Sequence, residues 1–268
     1  MKDKVVIITG ASSGIGLALA NELAARGAVL SLAARNTEKL EEMVNQYSRQ
    51  GVRAIAVPTD VSREEDCKGL VQKTVDAFGR IDILINNAGI SMRALFEKTD
   101  LAVIRRLMDV NFWGTVYCTK YALPWLLKTK GSLVGVSSIA GYKGLPGRTG
   151  YSASKYAIQG FLETVRIENM KKGLHVLIAC PGFTSSNIRN SALSADGSLQ
   201  GESPRNEDSM MKPEKVAVKI ADAIKRKNKI LVMTIVGKLT VALDKIFPFF
   251  MDRMVYNQMA KEPDSPFK

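Results

Sequence analysis

Histidine is almost missing from this chain. His175 is the only one among 268 residues. Histidine-rich metal sites are therefore excluded, and a Ser-His-Asp triad would depend on one residue inside the apolar stretch Leu174 to Ala179, which reads as strand. Cysteine is scarce as well. Cys67, Cys118 and Cys180 stand far apart with no Cys-x-x-Cys pair, so neither a disulfide framework nor a zinc site is expected, and a reducing, cytoplasmic setting is. Long hydrophobic runs are lacking too. No uncharged stretch approaches the roughly 20 residues of a membrane-spanning helix. Met1 to Lys4 leads straight into Val5-Val6-Ile7-Ile8, an apolar run too short for a secretory core. Low-complexity segments are absent, and 46% hydrophobic with 24% charged residues is the balance of an ordinary globular protein. Aromatics make up only 7%. They do not interleave with the scattered Lys and Arg, so a nucleic-acid partner is not expected. The net charge of +12 still calls for an acidic partner, such as a phosphorylated cofactor or an anionic lipid.

What the chain does contain is alternation. Short β-branched runs recur at Val5–Thr9, Ala28–Ala33, Ala54–Val57, Ile81–Asn86, Ser132–Ser137, His175–Ala179 and Ile230–Met233, and they read as buried parallel strands. Between them lie helical patterns. Ile15, Leu19 and Leu23 share one face, as do Leu40, Met43, Val44 and Tyr47. Strand and helix alternating in this way predict an α/β fold, a single doubly wound parallel sheet of about seven strands. Its ligands would sit beyond the carboxyl ends of the strands. Residues 1–235 form the expected catalytic domain and 236–268 a basic, amphipathic helical extension of it. From Phe183 to Met211 the chain is polar and too long for an ordinary connection, which predicts a lid or mobile loop.

The first strand runs into Gly10-Ala11-Ser12-Ser13-Gly14-Ile15-Gly16 and then a helix. Glycines there allow close approach of backbone to a pyrophosphate, and the helix start attracts its charge, so Gly10, Ser12, Ser13, Gly14, Ile15 and Gly16 are candidate cofactor contacts. Further on come Asn86-Asn87-Ala88-Gly89, Asn111, Ser137-Ser138 and Tyr151-Ser152-Ala153-Ser154-Lys155. Tyr151 and Lys155, at i and i+4, share a helix face.

With Thr-Gly-x-x-x-Gly-x-Gly, Asn-Asn-Ala-Gly and Tyr-x-x-x-Lys in this order, the sequence resembles the short-chain dehydrogenase/reductase family from Val5 to about Met233. The resemblance implies an oxidoreductase with Asn111, Ser138, Tyr151 and Lys155 as its catalytic tetrad. It also implies a nicotinamide flanked by Pro181, Gly182, Thr184 and Ser186, an adenine flanked by Asp60 and Val61, and dinucleotide contacts from Asn87, Ala88, Gly89, Tyr151 and Lys155. In that scheme Ser138 hydrogen-bonds the substrate oxygen and Tyr151 donates its proton. Lys155 lowers the phenol's pKa, and Asn111 holds a water that resupplies protons. Ala192 to Ser198 and the basic tail look more like the branch near the 11-beta-hydroxysteroid dehydrogenases than the 3-oxoacyl-carrier-protein reductases.

At the end of the second strand an acidic residue would bind an unmodified adenosine ribose. Ala34 offers none, and Arg35 instead presents a fork suited to a 2′-phosphate, so NADP(H) is the expected cofactor. Ile139, Tyr142, Leu145, Pro146 and Phe183 predict a largely apolar pocket for a lipophilic ketone or secondary alcohol. The alternatives are a 3-oxoacyl-thioester reductase and a non-catalytic dinucleotide sensor. A homodimer or homotetramer is expected. In the tail, Leu239, Leu243, Ile246, Phe250 and Met254 form an apolar stripe beside Lys238, Lys245, Arg253 and Lys261. That stripe suits a peripheral membrane contact through 238–261, or packing over the substrate pocket or a subunit boundary.

Overall fold

In the computed structural model, residues 1–185, 188–201, 210–262 and 265–266 are described. Seven parallel strands form one sheet in the order β3-β2-β1-β4-β5-β6-β7. They are β1 Val5–Thr9, β2 Val29–Ala34, β3 Ala54–Pro58, β4 Ile83–Asn86, β5 Ser132–Val136, β6 His175–Cys180 and β7 Ile230–Val232. The chain winds outward from β1 to β3 and then restarts on the other side with β4. This reversal leaves a crevice past the carboxyl ends of β1 and β4.

Both faces of the sheet are covered, and the residues of one strand divide between them. Val6 and Ile8 of β1 join a core with Leu19, Leu40 and Ile220, from α1 (Gly14–Ala25), α2 (Thr37–Arg49) and α7 (Pro213–Lys225). Ile7 points the other way, into a core with Cys67, Cys118 and Leu162, from α3 (Glu64–Phe78), α5 (Gly114–Thr129) and α6 (Thr149–Glu168). Period-two alternation is thus present inside an apolar run that looks uniform, because both directions lead to a core. Each fully buried Leu or Ile contributes about 1.5–3 kcal/mol.

β2 and β4 start later than the apolar runs suggest, at Val29 and Ile83. β4 begins at Ile83 because Asp82 acts through its side chain, which accepts the Val5 N–H at 3.0 Å and pairs with Lys4 and Arg80. Asp82 is buried and its carboxyl pKa is lowered: burial alone would raise it, but hydrogen bonds from Arg80, Val5 and Lys4 outweigh that cost. His175 is a structural residue of β6. Its Nε2 donates to the Asn228 carbonyl at 2.8 Å, while Nδ1 meets the Ser132 hydroxyl at 3.0 Å. All three cysteines are free and buried.

Of the expected lid, residues 186–187 and 202–209 lie outside the described residues, and residues 188–201 pack partly against the core. Leu193 and Ala192 are buried, and Leu193 pairs with Met92 in a small core with Ala94, Val103 and Leu107. The chain after β7 forms two helices, α8 (Ile235–Asp244) and α9 (Pro248–Ala260). Pro248 opens α9 instead of kinking one long helix, a position where its missing N–H costs nothing. Lys143 joins both helices to the loop after β5, its Nζ 2.5 Å from the Asp244 and Asp252 carboxylates. Among the described residues, no helix is long and apolar enough to cross a membrane.

Candidate active site

The ends of β1 and β4 build one wall of a cavity of about 1980 Å³. Gly10 and Gly14 sit at φ +65° and +52°, a left-handed conformation that glycine adopts without a side-chain clash. Gly16 does not line the cavity but makes the turn possible, since a Cβ there would lie 2.0 Å from the Gly10 carbonyl oxygen. Ser13 stands at the start of α1 without capping it, so the first amides of the helix face the cavity along with Ser12, Gly14 and Ile15. Asn87 fastens this loop to β4, its Nδ2 donating to the Thr9 carbonyl at 2.9 Å. Thr9 Oγ1 in turn accepts the Asn87 and Ala88 amides, each at 3.0 Å.

The remaining expected cofactor contacts converge on the same space. Arg35 and Asp60 line it together with Val61 beyond β2 and β3. Asp60 has a lowered pKa: burial opposes its charge, but two hydrogen bonds from Ser62 and the field of Arg35 prevail. Asn87, Ala88, Gly89, Pro181, Gly182 and Thr184 also face the cavity. Ser186 lies outside the described residues.

Ser138, Tyr151 and Lys155 all line the cavity. Ser138 caps a 3₁₀ turn, Ile139–Gly141, its Oγ accepting the Ala140 N–H at 3.2 Å. Its hydroxyl also acts on the Tyr151 phenol in the direction that favours phenolate. Lys155 is buried, donates from Nζ to the Val136 carbonyl at 2.9 Å, and lies 5.6 Å from the centre of the Tyr151 ring.

Burial dominates the electrostatics of both groups. The Tyr151 phenol is pushed up, not down: loss of water outweighs the Ser138 hydrogen bond and the fields of Arg148 and Arg189, all of which favour phenolate. Lys155 is itself lowered to about 8 by burial. It is therefore still largely an ammonium near neutrality, and that ammonium is turned to the Val136 carbonyl. Tyr151 is a protonated acid, ready to donate.

Asn111 stands behind the cavity wall near Lys155: a Cβ at Gly89 would meet its Oδ1 at 3.1 Å and Lys155 Nζ at 3.5 Å. It sits in a π-helical turn, Met108–Trp113, between α4 (Leu101–Leu107) and α5, fully buried. Its Oδ1 accepts the Ile90 N–H at 2.8 Å, and Nδ2 donates to the Ile90 carbonyl at 3.0 Å and to Ser154 Oγ at 2.9 Å. The side-chain amide is thus committed to the chain behind the cavity wall, where it fixes the segment after Gly89.

Of the apolar substrate-side candidates, Ile139, Leu145 and Phe183 line the cavity. Tyr142 instead packs on the core under α6, and Pro146 faces a separate shallow hollow beside Asp252 and Tyr256. Sequence reasoning missed Arg148, Arg189, Met259 and Glu262, which close the Tyr151 side. Arg148 lies only three positions before Tyr151, but nothing in the spacing signals that it turns inward. Met259 and Glu262 arrive from the far end of the chain.

This site defines the class. The short chain dehydrogenase family profile matches residues 4–197, and the chain belongs to that family. It is 42% identical over 199 residues to 11-beta-hydroxysteroid dehydrogenase 1A of Arabidopsis thaliana, a match covering 73% of this chain and 57% of the relative. With 11-beta-hydroxysteroid dehydrogenase A of Arachis hypogaea the identity is 45% at the same coverage. The chain therefore spans little more than half the length of these relatives. Among solved structures, an alcohol dehydrogenase from the archaeon Thermococcus sibiricus complexed with 5-hydroxy-NADP superposes with TM-score 0.78 and 27% identity, covering 87% of this chain and 96% of that one. A short-chain dehydrogenase/reductase from Burkholderia phymatum in complex with NAD shares the fold, with TM-score 0.83 at 24% identity over 93% and 95% of the two chains.

Proposed function

We propose that the protein is an NADP(H)-dependent reductase of lipophilic ketones, or in reverse a dehydrogenase of the matching secondary alcohols. The observation carrying this reading is that Ser138, Tyr151 and Lys155 line one cavity together with the glycine-rich loop Gly10 to Ile15. A volume of about 1980 Å³ exceeds the 300–1,000 Å³ of a typical single-ligand pocket, leaving room for a dinucleotide and a substrate. The first turn of α1 would hold the pyrophosphate, Arg35 a 2′-phosphate, and Pro181, Gly182 and Thr184 the nicotinamide. When bound, the dinucleotide supplies or accepts the hydride.

The chain's own part is proton handling. Ser138 Oγ orients the carbonyl oxygen and withdraws charge from it. Tyr151 delivers its proton to the developing alkoxide, and Lys155, when charged, steadies the phenolate left behind. Ser138 and Arg148, with Arg189, favour that phenolate, offsetting the burial that keeps the proton in place before reaction. Tyr151→Phe tests the assignment. It keeps the ring and removes the proton, so kcat with a panel of steroid, retinoid, 3-ketosphinganine and 3-oxoacyl-thioester carbonyls should fall at least about 10²-fold while NADPH still binds. Turnover near that of the wild type would remove Tyr151 from the mechanism. A preference for thioesters in the panel would favour the 3-oxoacyl reading.

The segment 236–268 belongs to the same functional unit in this reading, since Val236 and Gly237 of α8 and Met254, Val255 and Met259 of α9 border the cavity. Of the expected tail stripe, Leu239, Ile246, Phe250 and Met254 are exposed and Leu243 is half-buried; only Met254 reaches the cavity. Packing of this stripe over the pocket is thus not what the tail does. An apolar outer face beside Lys238, Lys245 and Arg253 supports peripheral contact with an anionic membrane.

A further inference from the structure

A buried ammonium belongs to the turn that carries Ser138. Lys143 stands five positions after Ser138 and is 8% exposed, yet it is not among the residues that line the cavity. Its N–H donates to the Ile139 carbonyl at 3.0 Å, as the Gly141 N–H does to the Ser138 carbonyl at 3.0 Å, so backbone bonds tie it to the Ser138 turn. Its Nζ lies 2.5 Å from Asp244 Oδ1 and 2.5 Å from Asp252 Oδ1. The two carboxylates come from different helices, Asp244 from the end of α8 and Asp252 from the first half of α9. Burial works against the charge of Lys143, but the carboxylates outweigh it and raise the lysine pKa.

A buried ion pair adds little net stability over apolar packing, because desolvation offsets the attraction; its best use is to fix one arrangement. Here the arrangement is that of the tail against the Ser138 turn. α8 comes so close to this turn that a Cβ on Gly237 would lie 2.6 Å from Ile139 Cδ1, and Thr234 caps the helix there, its Oγ1 accepting the Gly237 N–H at 3.0 Å. Ile139 and Gly237 both line the cavity, with Thr240 of α8 and Met254, Val255 and Gln258 of α9. One ammonium therefore joins the turn that carries Ser138 to the wall that these two helices build.

We infer that Lys143 is a positioning residue: through Asp244 and Asp252 it holds α8 and α9 at a fixed distance from Ser138, and so sets the width of the substrate end of the cavity. The inference rests on the reductase reading and adds a determinant of substrate size to it. A bulky lipophilic ketone needs this wall for binding. A small diketone is served by Ser138, Tyr151 and the cofactor alone.

The test uses the full chain with saturating NADPH and two probes, a steroid ketone and diacetyl. Lys143→Met should raise KM for the steroid about tenfold while kcat changes less than about threefold, and leave both constants for diacetyl near those of the wild type. Lys143→Arg keeps a charge within reach of both carboxylates and should recover most of the loss. Asp252→Asn guards against variants that fail to fold, because the Asp252 side chain is 65% exposed, and it should give an intermediate KM for the steroid. Hydrogen exchange needs no turnover: in Lys143→Met the amides of α8 and α9 should exchange faster and those of Gly10 to Gly16 should not. That pattern upholds the tether even if one ketone goes unreduced; if both do, the reductase reading fails alone. A KM that rises equally for both ketones, a Lys143→Arg variant no better than Lys143→Met, or unchanged exchange in α8 and α9 would overturn the inference.

Discussion

The same loss of water moves the two central groups in opposite directions, because one is charged when it loses its proton and the other when it keeps it. Tyr151 is raised, and Lys155 falls from the ordinary lysine range to about 8. With a lowered pKa, Lys155 is an ammonium below about pH 8 and a neutral amine above it. If its charge steadies the phenolate, kcat/KM for reduction, which reports groups of the free enzyme, should be level below that pH. Above it the value should fall about tenfold per pH unit. Lys155→Arg should be slower overall yet lose this alkaline limb, since a guanidinium stays charged; a limb that persists would assign it to another group. Arg35 makes a second residue-scale prediction. Arg35→Asp should repel a 2′-phosphate and accept a ribose hydroxyl, shifting the NADPH/NADH ratio of kcat/KM by roughly 1–3 kcal/mol toward NADH. An unchanged ratio would mean that Arg35 serves only Asp60. At this scale the sequence was informative wherever chemistry depends on local spacing, as with Tyr151 and Lys155 on one helix face. It was silent on Arg148, Arg189 and Glu262, which meet only because distant segments fold together.

Elements show where periodicity stops being enough. Alternating strands and helices, and the residue sets on their faces, follow from apolar spacing, and the sheet has them. Boundaries depend on single polar groups, such as Asp82 ahead of β4, which carry no periodic signal. The π-helical turn holding Asn111 is likewise invisible, since it inserts into a helical pattern without breaking it. The strand-turn-helix at β1 and α1 is the opposite case, because its constraint is steric. Gly16→Ala would place a methyl 2.0 Å from the Gly10 oxygen and 2.6 Å from Asn87 Nδ2. Backbone must then move, and the loop that Asn87 and Thr9 hold together moves with it. The expected outcome is a loss of dinucleotide binding of at least about tenfold, with a lower Tm. Gly51→Ala is the control. Nothing lies within 4 Å of a Cβ there, although its φ of +73° still carries strain. Thermal unfolding followed with and without NADPH separates the two, because only the Gly16 variant should lose the stabilisation by cofactor.

For the whole molecule, the question is what the outer face of the tail meets. Phe249 is 87% exposed and Ile246 67%, and with Phe247 and Phe250 they cluster at the junction of α8 and α9. A face of this kind is costly to leave in water. The Lys143 pairing with Asp244 and Asp252 holds both helices to the active-site loop, so the face is presented by a fixed support. The helices that carry it also border the cavity. The net charge of +12 adds attraction to an anionic surface. Vesicles containing phosphatidylserine should therefore sediment with the full chain, and binding should weaken as salt rises and the charge is screened. Ile246→Asp and Phe249→Asp each place a carboxylate at an exposed position without disturbing a core contact, so both should abolish sedimentation and leave Tm and turnover of a water-soluble carbonyl compound close to the wild type. If these variants instead convert a dimer or tetramer to a monomer, with no vesicle binding before or after, the face joins copies of the chain and the membrane reading is wrong.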